Sequence, residues 1–383
     1  MNIIGIFLIN EIRTGGDKDY INLLETLAER GNKVFVIINK YLDYQPKFII
    51  PIYLSILYVI HKFPPASYLF KIKIKNNFPT IINSFSGYKA DYIYIHGDIY
   101  LKSAIYLKKQ LNSKLFYCSR ANDISRVNIL LQYKAYTSVK LIIFYLLYNQ
   151  INKFREKQIS KYANIVSFLN PTDMEYFKKR TKRYNNIIII PNNINFGTNM
   201  NFYNKNNSHS VYKIVYVGSL SRDKGLYDLL KAAFILKNKN YNLLYYILGK
   251  IENDNNLLEL TNKLNLNENI RLEGYVSPFS YFIDCDLFVY PTLYDSFGNV
   301  ITEALFCGCP VIASKSAGPS YILNYDDLLF ELAKPEDIAK KIEQCIIDNN
   351  YYNRIRSLCS ERIKEFQFDL TEKYEHSMLE YLS

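Results

Sequence analysis

Short apolar runs rich in isoleucine and valine recur along the 383 residues, and helix-length amphipathic segments separate them. That alternation predicts parallel sheets covered by helices, an α/β protein. In the first half the runs predict strands near residues 2–9, 33–38, 91–96, 114–118, 163–168 and 187–190. In the second half they fall near residues 212–217, 243–248, 270–274, 286–290 and 310–313. Between the two sets, Gly197 to Tyr212 has no apolar periodicity and holds the polar run Asn204-Lys205-Asn206-Asn207-Ser208, which reads as a linker.

At 383 residues the chain is about as long as two or more typical domains of roughly 100–200 residues each. The expected organisation is a first parallel α/β domain over residues 1–198, a linker over 199–211 and a second such domain over 212–366. Residues 367–383 hold a helix, about Leu370 to Leu382, that returns to the first domain. Two domains of this kind face a cleft at the carboxyl ends of their strands, where such sheets bind ligands.

Charge divides as the strands do. Residues 1–200 carry 28 Lys and Arg against 12 Asp and Glu, and residues 201–383 carry 19 against 24. A basic first half suggests an anionic partner such as a membrane surface, a phosphorylated lipid or a nucleic acid. Two of its segments mix long apolar runs with lysines: Ile49 to Lys75, and Val139 to Lys161. Each reads either as a helix lying in a bilayer interface or as a core helix with a basic outer face.

Six cysteines, Cys118, Cys285, Cys307, Cys309, Cys345 and Cys359, show no CxxC and no paired spacing with the four histidines. Neither a zinc site nor a disulfide framework is indicated, and a reducing cytoplasm is the simplest home. Met1 to Phe7 lacks a basic segment before its apolar run and reads as a buried strand rather than a signal peptide. No uninterrupted apolar stretch approaches the roughly 20 residues that span a bilayer.

The chemistry concentrates in Tyr290 to Ser314. A strand ends at Tyr290, a loop carries Asp295 and Gly298, and a helix starting near Gly298 holds Glu303 in its second turn. Open N–H groups at such a helix start suit a phosphate. Asp295 and Glu303, eight positions apart, are placed to accept from two separate diols of one ligand. Upstream, Val217-Gly218-Ser219-Leu220-Ser221-Arg222-Asp223-Lys224-Gly225 follows the first strand of the second half, with Arg222 and Lys224 as cations for an anionic leaving group.

The segment resembles the E-x7-E signature of retaining GT-B glycosyltransferases of family 4, in which Pro291, Phe297, Gly298, Glu303, Ala304, Gly308, Pro310 and Val311 stand in register. Asp295 replaces the usual first glutamate. The Val217 to Gly225 stretch resembles the family's Gly-Arg-Leu-x-x-x-Lys-Gly, with Lys224 in register and Ser219 where the arginine usually stands, so Arg222 would supply the second cation. Gly15-Gly16 look like the family's glycine loop, where acceptor and donor phosphate meet. His96-Gly97 sit where a histidine is frequent, and Arg120 replaces a histidine in Arg120-Ala121-Asn122-Asp123. Pro191-Asn192-Asn193-Ile194 resembles the motif closing the first domain, and Ala317-Gly318-Pro319 a later glycine turn.

The resemblance implies two Rossmann-like domains in the GT-B architecture and transfer of a sugar from a nucleoside-diphosphate sugar to a hydroxyl of a glycan or lipid-linked acceptor. It assigns catalysis to Arg222, Lys224, Asp295, Glu303 and His96. Donor binding falls to Gly218, Ser219, Phe297, Gly298, Asn299, Val300 and Glu303, and the acceptor and phosphate loop to Gly15, Gly16, Arg120 and Asn192. Neither a metal nor a cofactor is required. With the basic first half it implies a cytoplasmic enzyme of cell-envelope polysaccharide synthesis, peripheral on the inner face of the membrane. A sugar-nucleotide epimerase of the same architecture and a non-catalytic partner subunit are the alternatives. No nucleic-acid-binding pattern appears.

Overall fold

The structure, a computed structural model, describes residues 1–9, 11–12, 15–55, 65–85, 87–133, 139–194, 211–250 and 255–382. All of the expected linker except Val211 lies outside the described residues.

Apolar runs without polar alternation belong to strands buried on both faces. In chain order the strands of the first sheet are β1 (Asn2–Phe7), β2 (Lys33–Asn39), β3 (Ile50–Leu54), β4 (Tyr92–His96), β5 (Lys114–Cys118), β6 (Ile165–Phe168) and β7 (Ile187–Ile189), of which β3 and β7, at the edges, are less buried than the rest. They form one parallel sheet in the order β3-β2-β1-β4-β5-β6-β7. The crossovers run through α1 (Gly15–Glu29), α2 (Pro65–Asn76), α3 (Phe78–Ser84), α4 (Leu101–Leu111), α5 (Asp123–Gln132), α6 (Val139–Tyr162) and α7 (Pro171–Thr181). The last of these begins where a sequence reading would put it. Asn170 accepts from the Asp173 N–H, its amide donates back to the Asp173 carboxylate at 2.8 Å, and Pro171 occupies the first helical position.

The second sheet, also parallel, has the order β10-β9-β8-β11-β12-β13. Its strands are β8 (Tyr212–Val217), β9 (Leu243–Leu248), β10 (Ile270–Gly274), β11 (Leu287–Tyr290), β12 (Val311–Ser314) and β13 (Leu329–Phe330). Around them lie α8 (Leu226–Asn238), α9 (Asn255–Lys263), α10 (Phe279–Asp284), α11 (Asn299–Phe306), α12 (Ala317–Leu323), α13 (Pro335–Ile347) and α14 (Asn349–Lys364). The chain ends in α15 (Leu370–Glu380).

Packing divides the chain into one unit of Met1–Asp123, Leu147–Ile190 and Asp369–Ser383, and another of Ile124–Leu146 and Pro191–Phe368. The C-terminal helix therefore belongs to the first unit. Tyr374 sets its ring 5.5 Å from that of Tyr94 and 5.6 Å from that of Phe116, and Tyr92 donates to the Met378 carbonyl at 2.8 Å. Arg30 binds both Asp369 and Glu375 at the rim.

Two strands lie where no strand is expected. Ile50–Leu54 opens the Ile49 to Lys75 segment, read above as helical, yet it is an edge strand beside β2 with Ile50 opposite Phe35 and Leu54 opposite Asn39. The Glu25 carboxylate fixes its approach by accepting from the N–H groups of Lys47, Phe48 and Ile49. Only Pro65–Asn76 of that segment is helical among the described residues. At two residues, β13 is too short to leave a periodic trace. No helix among the described residues is long and apolar enough to cross a membrane.

Candidate functional site

In each sheet the strand order reverses once, between β1 and β4 and between β8 and β11. A crevice opens at the carboxyl ends of the strands flanking such a reversal. Most candidate residues lie at or just after the carboxyl ends of these strands, while Arg120 follows β5 and Asn192 follows β7.

In the second unit the loop after β8 runs through Gly218 to Ser221 into a single 3-10 turn, Arg222–Lys224. Gly225 ends that turn at φ +72°, and a Cβ there would lie 1.9 Å from the Pro291 carbonyl oxygen. Only glycine fits so close an approach at this backbone angle. The approach is then held by the Leu293 N–H donating to the Asp223 carbonyl at 2.9 Å. With the turn pinned to the loop after β11, the Lys224 Nζ lies 2.8 Å from the Asp295 Oδ2.

Two further donors hold Asp295: the Tyr290 hydroxyl reaches Oδ2 at 2.7 Å, and the Phe297 N–H reaches Oδ1 at 3.2 Å. The Asp295 carbonyl accepts from the Gly318 N–H at 2.8 Å, and a side chain at Gly318 would collide with the backbone of Phe297. Burial pushes the Asp295 carboxyl upward, but the Lys224 charge and the three hydrogen bonds outweigh it and hold the group below its ordinary range. Burial likewise depresses Lys224, and Asp295 more than offsets this, leaving the ammonium harder to deprotonate than a free lysine. The Tyr290 phenol is pushed well up by burial and by Asp295, so it stays a donor.

Gly298, at φ +95°, turns the loop into α11, whose start no side chain caps. Phe297 is buried beneath, and Glu303, half-buried, stands in the second turn with Asn299 and Val300 ahead of it. The Asn192 amide donates to the Asn299 Oδ1 at 2.6 Å. Asn192, read from sequence as part of the acceptor loop, thus packs on the start of α11 within the second unit. Arg222 is exposed and lies over the Tyr227 ring at 5.0 Å rather than beside the Lys224–Asp295 pair. Ser219 is exposed, its hydroxyl 3.2 Å from that of Ser221.

In the first unit Gly15 and Gly16 open α1 after β1, and His96 ends β4 opposite Cys118 of β5. The His96 ring lies 4.5 Å from that of Tyr20, and its Nε2 is hydrogen-bonded to the Tyr94 hydroxyl. Its Nδ1 is fully buried without a hydrogen-bond partner among the described residues, although the Gly16 backbone is near enough to favour protonation slightly. Burial, and after it the Arg120 charge, push the imidazole well below its ordinary value, so it is neutral at pH 7. Arg120 donates to Asp19 at 2.8 Å. Glycine loop, histidine and arginine therefore converge at one end of the first sheet. Tyr290, as Asp295's donor, plays a part that sequence reasoning missed, and Asn299, expected at the donor, also accepts from Asn192. The signal available for Tyr290 was its place as the last residue of a strand, five before the aspartate.

Residues 200–358 match the sequence profile of the family described as glycosyl transferases group 1. With the crevice loops above, the profile covers Gly218, Lys224, Asp295 and Glu303. The chain is 32% identical over 143 residues to the capsular polysaccharide biosynthesis glycosyltransferase CapM of Staphylococcus aureus, covering 36% of this chain and 38% of that one. It is 28% identical over 157 residues to N-acetylgalactosamine-N,N'-diacetylbacillosaminyl-diphospho-undecaprenol 4-alpha-N-acetylgalactosaminyltransferase of Campylobacter jejuni, 40% of this chain and 42% of that one. The chain thus spans about two fifths of the length of these curated relatives. Its fold is similar to that of Anabaena Alr3699/HepE crystallised with UDP-glucose, at TM-score 0.70 and 18% identity over 99% of both chains. Two parallel-sheet Rossmann-like domains of the GT-B type are thereby the fold of this chain.

Proposed function

We propose that this protein is a retaining glycosyltransferase of family 4. It moves a sugar from a nucleoside-diphosphate sugar to a hydroxyl of a glycan or lipid-linked acceptor in cell-envelope polysaccharide synthesis. The observation that carries this reading is the contact of Lys224 with Asp295 across 71 residues of chain, at the reversal point of the second sheet. The names of the relatives, one of capsule synthesis and one acting on a diphospho-undecaprenol, and the UDP-glucose in the HepE crystal support it.

Lys224 spends one of its three N–H donors on Asp295 and meets the diphosphate with the others. A carboxylate has about four acceptor positions. Lys224, Tyr290 and Phe297 fill all but one of those on Asp295, and the remaining one takes a sugar hydroxyl. Glu303 holds the ribose, the start of α11 receives a phosphate, and Arg222 leaves Tyr227 to join Lys224 as charge develops on the leaving group. The leaving phosphate accepts the proton of the attacking hydroxyl on the same face of the sugar, so no protein nucleophile takes part. These cations do the electrostatic work, and neither metal nor cofactor enters. In the first domain Gly15, Gly16 and Arg120 take the acceptor side, and neutral His96 acts through hydrogen bonds rather than charge.

Glu303→Ala and Lys224→Ala should each lower turnover by about 100-fold or more, the scale of losing one preorganised stabilising group. Near-wild-type turnover by both purified variants would overturn the assignment. Thermal stabilisation across a panel of nucleotide sugars identifies the donor. An epimerised sugar after incubation without acceptor would mark an epimerase instead.

A further inference from the structure

Among its described side chains, the 24-residue helix α6 buries Ile159 in the core but otherwise turns polar groups inward and apolar ones outward. Its inward face buries Asn149 and Asn152 and carries Arg155, paired with Asp98, and Glu156, paired with Arg180. Its outward face presents Leu147, Ile151 and Phe154, spaced to form one stripe along a helix. Leu147 is 63% exposed and Phe154 58%. A helix facing only water shows the reverse arrangement. On the same side, toward the C-terminal end, stand exposed Lys153, Lys157 and Lys161. The helix's one acid is already neutralised by Arg180, so nothing on its own outward face opposes an anionic partner.

We infer that this face of α6 docks on an anionic lipid bilayer, the apolar stripe entering the headgroup boundary and the lysines meeting the lipid charge. The occupant follows from the pairing of the two features. Apolar side chains at this spacing suit a bilayer interface, and the row of lysines selects one of negative charge. The inference deepens the proposed function by giving an enzyme with a lipid-linked acceptor the surface on which it would find it, and it rests on that reading for its purpose only. Vesicle binding itself needs neither donor nor acceptor.

The test is flotation of the full chain with vesicles of phosphatidylcholine alone and with phosphatidylglycerol added. Wild type should float only with the anionic vesicles and less as salt rises. L147E/F154E should lower the bound fraction at least tenfold, and K153Q/K157Q/K161Q several-fold. All five side chains are exposed, so unchanged melting curves are expected, and unchanged nucleotide-sugar hydrolysis separates this surface from the donor site. Wild type remaining unbound, or L147E/F154E floating as well as wild type, would overturn the inference. So would a vesicle-free dimer that L147E/F154E dissociates, since the face would then bind a second copy. Hydrolysis absent from all variants while binding follows the predicted order would refute the enzymatic reading and leave the docking face standing.

Discussion

The ammonium of Lys224 lies 2.8 Å from a carboxylate oxygen of Asp295, and each side chain is about a quarter exposed. A pair so placed is coupled, and removing one member leaves the other charge incompletely compensated. A double-mutant cycle with Lys224→Met and Asp295→Asn should give a coupling energy of about 1–3 kcal/mol, between the values for exposed and buried pairs. Additive effects on urea denaturation would mean that the two charges do not sense each other.

The coupling has a defined pH window. Asp295 is depressed in the folded state, so its share is present above the unfolded carboxyl value of 3.8 and is lost as pH falls through the lower folded value. Lys224 is raised, so its share is complete below 10.5 and is lost as pH rises through the higher folded value. The coupling energy should therefore be flat across neutral pH and fall only in strong acid or strong base. A step near pH 6 or 7 would assign the interaction to other groups.

Gly225→Ala introduces a methyl where 1.9 Å separates the Cβ position from the Pro291 oxygen, at a φ that side chains resist. Loss of more than about 2 kcal/mol is expected. Because this turn presents Lys224, affinity for a nucleoside diphosphate should fall with stability. A Gly225→Ala variant as stable as wild type would show that the turn can shift, and the glycine would not be what sets Lys224.

His96 provides a test in the first domain. Its imidazole stays neutral when folded and becomes charged in the unfolded chain below about pH 6.5. Wild type should thus lose stability relative to His96→Gln as pH falls, by up to about 1.4 kcal/mol per pH unit. Parallel stability curves for the two proteins between pH 7 and pH 5 would contradict the neutral assignment.

Tyr290→Phe keeps the ring and removes one donor to Asp295, so about 1 kcal/mol of stability should be lost. An unchanged denaturation midpoint would show that this hydrogen bond contributes nothing net.

Most strands were legible because both sheets are parallel and their central strands are buried on both faces, which makes those strands continuous apolar runs such as Ile3 to Phe7 or Val34 to Ile38. β3 was not, because Pro51 interrupts Ile50–Leu54 and an edge strand need not be apolar throughout. At the site, glycines and acids at fixed spacing announced Lys224, Asp295 and Glu303. Which of them touch was not visible, since Lys224 and Asp295 are brought together by the packing of Gly225 on Pro291 and the Leu293–Asp223 hydrogen bond, which no sequence spacing shows. The inverted faces of α6 were hidden as well. Its apolar residues crowd the first half and most of its basic ones the second, and only the fold reveals which side Asn149 and Asn152 occupy.

The central claim, that the loops around Lys224 and Glu303 form a nucleotide-sugar site, is tested most directly by titrating UDP into wild type, Lys224→Ala and Glu303→Ala in a calorimeter. The account predicts saturable binding to wild type and a dissociation constant at least about tenfold higher in each variant, the loss of one charged contact. Equal affinity in all three proteins, for UDP and for every other nucleoside diphosphate tried, would contradict it.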